Sequence, residues 1–228
     1  MRISIFRLLA VAFLSALVAC EDVSGSSTEL ENDAIPLGAG FDFYVLALSW
    51  SPGYCRSQGD RANREQCGQG RSFEWVVHGL WPQFNSGYPE FCEPGSQQRV
   101  PRGLAEEMLD IMPSTGLIGH QWRKHGSCTG LSQKDYFATT RRAFSLIKKP
   151  DIDSGHTQSF RRTHNDIETA FLNANSTLQP SNAGVTCDRR FLRDVRICLS
   201  KDLSAFVSCP EVDRRHCRLP EMVVVPAR

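Results

Sequence analysis

The sequence lacks a hydrophobic run long enough to cross a bilayer. Its longest nearly unbroken apolar stretch, LLAVAFLSALVA at 8–19, has 12 residues, whereas a membrane-spanning helix needs roughly 20. Two arginines precede this stretch in MRISIFR, and small residues close it. A basic start followed by a short apolar core predicts that residues 1–19 are an export signal.

An excess of charge of either sign is also lacking. The chain has 26 Lys and Arg residues against 25 Asp and Glu, a formal net charge of +1. Without residues 1–19 the formal net charge is about −1, because two arginines are removed. A polycation that binds nucleic acid through its overall field is therefore excluded, and any such binding requires a local site.

Closely spaced cysteine pairs, which structural zinc sites require, are absent from the nine cysteines. LVAC, ending at Cys20, resembles the bacterial lipobox and predicts an acylated Cys20; an incidental cysteine after an ordinary signal is the alternative. The other eight, an even number in an exported chain, predict disulfides formed in an oxidising compartment. These eight are Cys55, Cys67, Cys92, Cys128, Cys187, Cys198, Cys209 and Cys217.

The rest of the chain predicts a tether followed by one domain. Residues 20–40 are polar and rich in small side chains, which is typical of a flexible tether, and 41–228 have the length of a single domain. We expect a monomer in the periplasm or cell envelope, lipid-anchored through Cys20, or secreted if Cys20 is not acylated.

Helix and strand patterns mix without regular alternation, which indicates an α+β fold. Apolar runs predict one strand ending at the SPG turn of residues 51–53 and a second, FEWVVHGLWP, stopped by Gly79 and Pro82. Helices are predicted at 102–112, 132–148 and 163–175, and hairpin strands at 185–209. No repeat or long low-complexity segment is found.

The stretch HQWRKHGSC, residues 120–128, combines several groups that bind anions or transfer protons. At 3.6 residues per turn, His120, Gln121, Lys124 and His125 share one helix face and Trp122 points elsewhere. No metal is predicted, because the two histidines are five apart, no carboxylate lies between them, and a lysine is among them. A solvated polar face remains the structural alternative.

A second stretch, VVHGLWPQF at 76–84, places His78 where an apolar strand is predicted to open into a loop. Considered alone, His78 is better explained as a hydrogen-bonded histidine at a strand edge. Together, HGLWP and the later pattern HxWxKHGxC resemble the two active-site segments of the ribonuclease T2 family, the acid, base-nonspecific endoribonucleases. LALSWSPGYC resembles that family's first core strand, and the resemblance extends from about Phe41 to the last cysteines.

The resemblance implies a disulfide-braced α+β fold with a central antiparallel sheet flanked by helices. It also implies metal-free cleavage of single-stranded RNA with no cofactor and little base preference. His78 and His125 would be the acid–base pair, with His125 the base of the first step, because imidazoles titrate near neutral pH. Lys124 would stabilise the anionic transition state. DNA should be untouched, since the RNA 2′-hydroxyl is the nucleophile.

For substrate binding, the resemblance assigns phosphate to His120 and base stacking to Trp81, which tolerates any base. Gln83, Phe84 and Tyr88 are further candidates for that base subsite, although simple loop packing explains them equally well.

One position departs from the family pattern, since Gln121 stands where the family usually has glutamate. A neutral amide can hydrogen-bond a phosphate oxygen but cannot raise the pKa of a neighbouring histidine. We therefore expect retained but altered catalysis. The alternatives are a weakly active RNA-binding member and a noncatalytic envelope binding protein.

The resemblance also implies four disulfide pairs, although eight cysteines allow 105 pairings and spacing cannot choose among them. The implied pairs are Cys55–Cys67, Cys92–Cys128, Cys187–Cys217 and Cys198–Cys209.

Overall fold

A six-stranded sheet runs through the centre of the computed structural model, which describes residues 36–93 and 98–227. The predicted signal at 1–19, Cys20 and most of the predicted tether lie outside the described residues. The strands are β1 (Phe43–Trp50), β2 (Trp75–Gln83), β3 (Phe160–Arg162), β4 (Ala183–Asp188), β5 (Phe191–Leu199) and β6 (Met222–Val224).

The strand order is β2-β1-β5-β6-β3, and β4 pairs with β5. Every strand pair is antiparallel except β5 with β6, which is parallel, so the sheet is mixed rather than wholly antiparallel as predicted. The α+β class is confirmed. The helices are α1 (Ser51–Gln58), α2 (Arg64–Cys67), α3 (Arg102–Glu106), α4 (Thr115–Lys124), α5 (Gln133–Leu146), α6 (His164–Ala174) and α7 (Pro210–Asp213).

Local signals place α5 and α6 close to their predicted bounds. The Ser132 hydroxyl accepts a hydrogen bond from Asp135 N, and Thr163 and Asp166 form a reciprocal capping box. The helix predicted at 102–112 is wrong in length, because α3 ends at Glu106. The Ile111 carbonyl accepts a hydrogen bond from Val77 N of β2 instead of continuing a helix.

The main core lies between one face of the sheet and helices α4, α5 and α6. Tyr44, Leu46 and Leu48 alternate along β1 toward this core, as the two-residue period of a strand dictates. The helices contribute large buried side chains, namely Ile118, Trp122, Tyr136, Phe137, Ile167 and Phe171. A smaller cluster containing Val45, Cys198 and Val212 lies apart from it.

The structure contains the four disulfide pairs that the resemblance implies. They are Cys55–Cys67, Cys92–Cys128, Cys187–Cys217 and Cys198–Cys209. In the described ranges, no helix has both the length and the hydrophobicity that a membrane span requires.

Strand β2 continues through both residues that were expected to stop it. Gly79 pairs with Ala47 and Pro82 with Tyr44. Pro82 is tolerated because β2 is an edge strand of the sheet. Between the pairs Leu48–Val77 and Ala47–Gly79 the register shifts by one residue, so His78 is the extra residue of a β-bulge.

Candidate active site

The bulge at His78 opens onto a cavity of about 350 Å³ formed by β1, β2, β5 and the C-terminal end of α4. The sequence-predicted residues that line it are His78, Trp81, Gln83, Tyr88, His120, Gln121, Lys124 and His125. The structure therefore brings the two sequence motifs together in one cavity. Among the described residues, no three His, Cys, Asp or Glu side chains are grouped as a metal site requires.

His78 faces a buried carboxylate. Its Nδ1 lies 3.4 Å from Oδ2 of Asp194, which is fully buried in β5. The other carboxylate oxygen accepts a hydrogen bond from the Ser49 hydroxyl, and Arg193 Nε lies 3.4 Å from Oδ2. Burial alone would raise the pKa of Asp194, but the positive charge and hydrogen bond of His78 lower it to about 2. Asp194 is therefore an anion held against the His78 ring.

His125 lies in surroundings of the opposite kind. It caps the C-terminus of α4 and is buried, and its Nδ1 has no hydrogen-bond partner among the described residues. Burial, together with the positive charges of Lys124, His78 and His120, lowers the pKa of His125 to about 3. The ring is therefore neutral over most of the acidic range.

Helix α4 presents its polar groups to the cavity much as the helical period predicts. The Ser114 hydroxyl caps its N-terminus by accepting a hydrogen bond from Leu117 N, and Trp122 packs in the core on another side. His120 is exposed at the cavity rim, and desolvation together with the charge of Lys124 lowers its pKa.

Lys124 is held by the segment that follows β2. Its Nζ lies 3.2 Å from Oε2 of Glu90, and its carbonyl accepts a hydrogen bond from Phe91 N. The Cys92–Cys128 disulfide joins this segment to the turn after α4. The brace inferred from the resemblance therefore acts next to Lys124.

Gln121 contacts Trp81 rather than standing free in the cavity. Its Oε1 accepts a 2.8 Å hydrogen bond from Trp81 Nε1, and the guanidinium of Arg196 lies 5.1 Å from the ring centroid of Trp81. A Cβ at Gly79 would collide with both the Gln121 amide and the indole nitrogen, so this close approach requires glycine. With Oε1 engaged, the amide NH₂ is the group that Gln121 retains for an anion.

The residues expected at the base subsite divide into two groups. Trp81, Gln83 and Tyr88 line the cavity, whereas Phe84 lines an adjoining pocket of about 20 Å³ that shares Gln83 with it. The assignment of Phe84 to this subsite stays a prediction. Trp81 and Gln83 are two apart on β2 and share a face, while the next residue points away.

The sequence motifs miss several polar residues that tertiary structure adds to the site. Arg193, Arg196, Glu211 and Arg215 line the cavity, and Asp194 lies behind His78. The signal that could have found two of them is the alternation in FLRDVRICL. There, Asp194 and Arg196 interrupt the apolar run on the face opposite Val195 and Ile197.

The chain is similar to known ribonucleases. Residues 41–209 match the Ribonuclease T2 family. A probable ribonuclease of Haemophilus influenzae is 40% identical over 151 residues, which span 60% of this chain and 55% of that protein. A ribonuclease of Aeromonas hydrophila is 32% identical over 198 residues, covering 82% of this chain and 87% of the relative.

The fold of the chain is similar to those of solved ribonuclease structures. A mutant of RNase MC1 in complex with 5′-UMP superposes with a TM-score of 0.60 at 18% identity, covering 82% of this chain and all (100%) of that one. RNase NT in complex with 5′-AMP superposes with a TM-score of 0.52 at 21% identity, covering 75% and 92%.

Proposed function

The chain belongs to the ribonuclease T2 family, and from this premise we propose that it is an endoribonuclease that cleaves single-stranded RNA by metal-free acid–base catalysis. The observation that carries the proposal is the pair of imidazoles with opposite surroundings in one cavity. His78 faces the anionic Asp194, whereas His125 is buried beside Lys124.

His125 is the base of the first step. A neutral imidazole can accept the proton of the RNA 2′-hydroxyl, and the lowered pKa keeps His125 neutral in acid. The freed 2′-oxygen then attacks the adjacent phosphorus.

His78 is the acid of that step. An imidazolium next to the Asp194 carboxylate has its charge compensated, and it donates a proton to the departing 5′-oxygen. The products are a 2′,3′-cyclic phosphate and a free 5′-hydroxyl. Water can then open the cyclic phosphate with the two histidines in exchanged roles, which leaves a 3′-phosphate.

The other cavity residues bind the substrate and stabilise the transition state. The Lys124 ammonium is placed to neutralise charge on the non-bridging phosphate oxygens, and His120 at the rim binds phosphate. Trp81 stacks on a base, with Gln83 and Tyr88 beside it, which favours little base preference because every base has a π-face. The Gln121 amide holds the Trp81 indole in place.

Export is part of the proposal. Four disulfides support an oxidising compartment for a single domain at 41–228. Acylation of Cys20 rests on LVAC alone. Mass spectrometry of the N-terminus of the mature protein tests it, since a diacylglyceryl mass on Cys20 is expected.

The test of catalysis is incubation of the purified mature protein with a defined RNA oligomer in EDTA, with product ends identified by mass spectrometry. We expect cyclic phosphate ends from the wild type and a loss of about 10²–10⁴-fold in His78→Ala. His156→Ala, which removes a histidine outside the cavity, is the matched control. Absence of cleavage at every pH from about 4 to 8, where imidazole titrates, would favour an RNA-binding protein without turnover.

A further inference from the structure

The proposed catalytic cavity does not end at His78. A second cavity of about 480 Å³ shares His78 and Arg193 with it. A third, of about 560 Å³, meets the second at Ser57. The three cavities are neighbours through these shared lining residues, and together they are here called the groove.

The far end of this groove is rich in positive charge. Arg56, Arg189 and Arg190, here called the distal arginine cluster, line the third cavity and are exposed. None of the three forms an ion pair with any other described residue. In a chain of formal net charge +1, such a concentration creates a local positive field.

Two braced elements present the cluster. Arg56 lies in the last turn of α1, next to the Cys55–Cys67 disulfide. Arg189 and Arg190 form the turn between β4 and β5, shortly after the Cys187–Cys217 disulfide. Both elements are therefore covalently tied near the point where the arginines project.

Direct contacts also join these two elements to each other. The carboxylate of Asp188 accepts hydrogen bonds from Ser57 Oγ at 3.3 Å and from Gln58 Nε2 at 3.5 Å. Arg190 lies over the Phe191 ring, with its guanidinium 5.1 Å from the centroid. Asp188 is the acidic side chain at this end of the groove, and its hydrogen bonds to α1 leave the three guanidiniums in excess.

We propose that the distal arginine cluster binds backbone phosphates of the RNA strand on the 3′ side of the scissile bond. The direction follows from the proposed function, on which this inference rests. His78 protonates the departing 5′-oxygen, so the leaving strand starts beside His78. The groove runs from His78 to the cluster, and guanidiniums pair well with phosphate oxygens.

Oligomers with a single ribonucleotide test the direction, because only that nucleotide carries the 2′-hydroxyl and cleavage is confined to one bond. Deoxynucleotides are added stepwise to its 3′ side or, in a parallel series, to its 5′ side. We expect kcat/KM of the wild type to rise several-fold with 3′ extension and to change little with 5′ extension.

A triple variant, Arg56→Ala with Arg189→Ala and Arg190→Ala, should lose the gain from 3′ extension. It should still cleave the shortest substrate like the wild type, which also shows that it is folded. The plot of log kcat/KM against log salt concentration has a negative slope, and its steepness should decrease by up to about 2 in the triple variant. Each phosphate contact on a single strand contributes about 0.7, and three arginines are removed. A control removes the exposed Lys134, Arg142 and Lys148, which line none of these cavities, and should keep the gain.

Three outcomes would overturn the inference: no gain from 3′ extension in the wild type, a gain that survives in the triple variant, or an equal loss in the control. If the wild type cleaves no substrate, the proposed function is wrong. The cluster is then tested by fluorescence anisotropy with a 2′-O-methyl RNA oligomer, which needs no catalysis. Equal affinity of the triple variant and the control for that oligomer would also reject it.

Discussion

His78 and His125 are the same side chain in one cavity, yet the protein surrounds them oppositely. His78 has a buried anion, Asp194, against its Nδ1, and it lies in a β-bulge at the edge of the sheet. His125 is buried at a helix terminus, has no carboxylate partner among the described residues, and is surrounded by positive charge. The contrast shows how one residue type can supply both a proton donor and a proton acceptor at a single pH.

Replacing Asp194 by asparagine removes the anion that faces His78 and should have the largest effect on activity. We expect kcat/KM to fall at least about 10–100-fold, the cost of losing a carboxylate that orients a metal-binding histidine. The basic limb of the pH–rate profile should move to lower pH, because the His78 imidazolium loses its compensating charge. Asp60→Asn, at an exposed position, is the control. If kcat/KM falls but the pH–rate profile does not move, Asp194 has only a structural role.

The burial of His125 should make the protein less stable in acid. The unfolded chain takes up a proton near pH 6.5, whereas folded His125, with a pKa of about 3, does not, so stability falls as pH drops below about 6.5. From pH 7.5 to 5 the wild type should lose about 2 kcal/mol more than His125→Asn.

Urea unfolding of both proteins at each pH measures this difference. His120 and His164 also have lowered pKa values, but they are present in both proteins. Their contributions to the pH dependence of stability therefore cancel in the comparison. Parallel stability curves would show that folded His125 titrates normally.

Placing a carboxylate beside His125 should make its surroundings more like those of His78. In Gln121→Glu the negative charge favours the imidazolium, so the acidic limb of the pH–rate profile should move up by about one pH unit. The natural protein should therefore stay active at lower pH than the variant. Gln69→Glu adds the same charge at an exposed site. An unmoved acidic limb in Gln121→Glu would contradict our account of this position.

The smallest expected effect comes from Glu90, which pairs with Lys124 in the free protein. Substrate phosphate must compete with this partly exposed pair, which is worth about 0–1 kcal/mol. Glu90→Gln should therefore lower KM by up to about fivefold at low salt and less at high salt. Glu93→Gln, at an exposed neighbouring position, should leave KM unchanged. A raised KM in Glu90→Gln would mean that the pair positions Lys124.

The sequence alone determined the α+β class, the positions of α5 and α6, and the two motifs that supply His78, His120, Lys124 and His125. These depend on short-range signals, since capping residues and motif spacing can be read within a dozen residues. The family resemblance also implied the disulfide pairs, which spacing alone could not select.

Tertiary structure decided the features that depend on contacts between distant segments. The bulge that isolates His78 arises from pairing with β1, and Asp194 reaches His78 from 116 residues away in the chain. The early end of α3 follows from the hydrogen bond that the Ile111 carbonyl accepts from Val77 N. The charge around each histidine is a sum over side chains from several elements, so only the folded chain determines the surroundings on which the proposed acid and base roles depend.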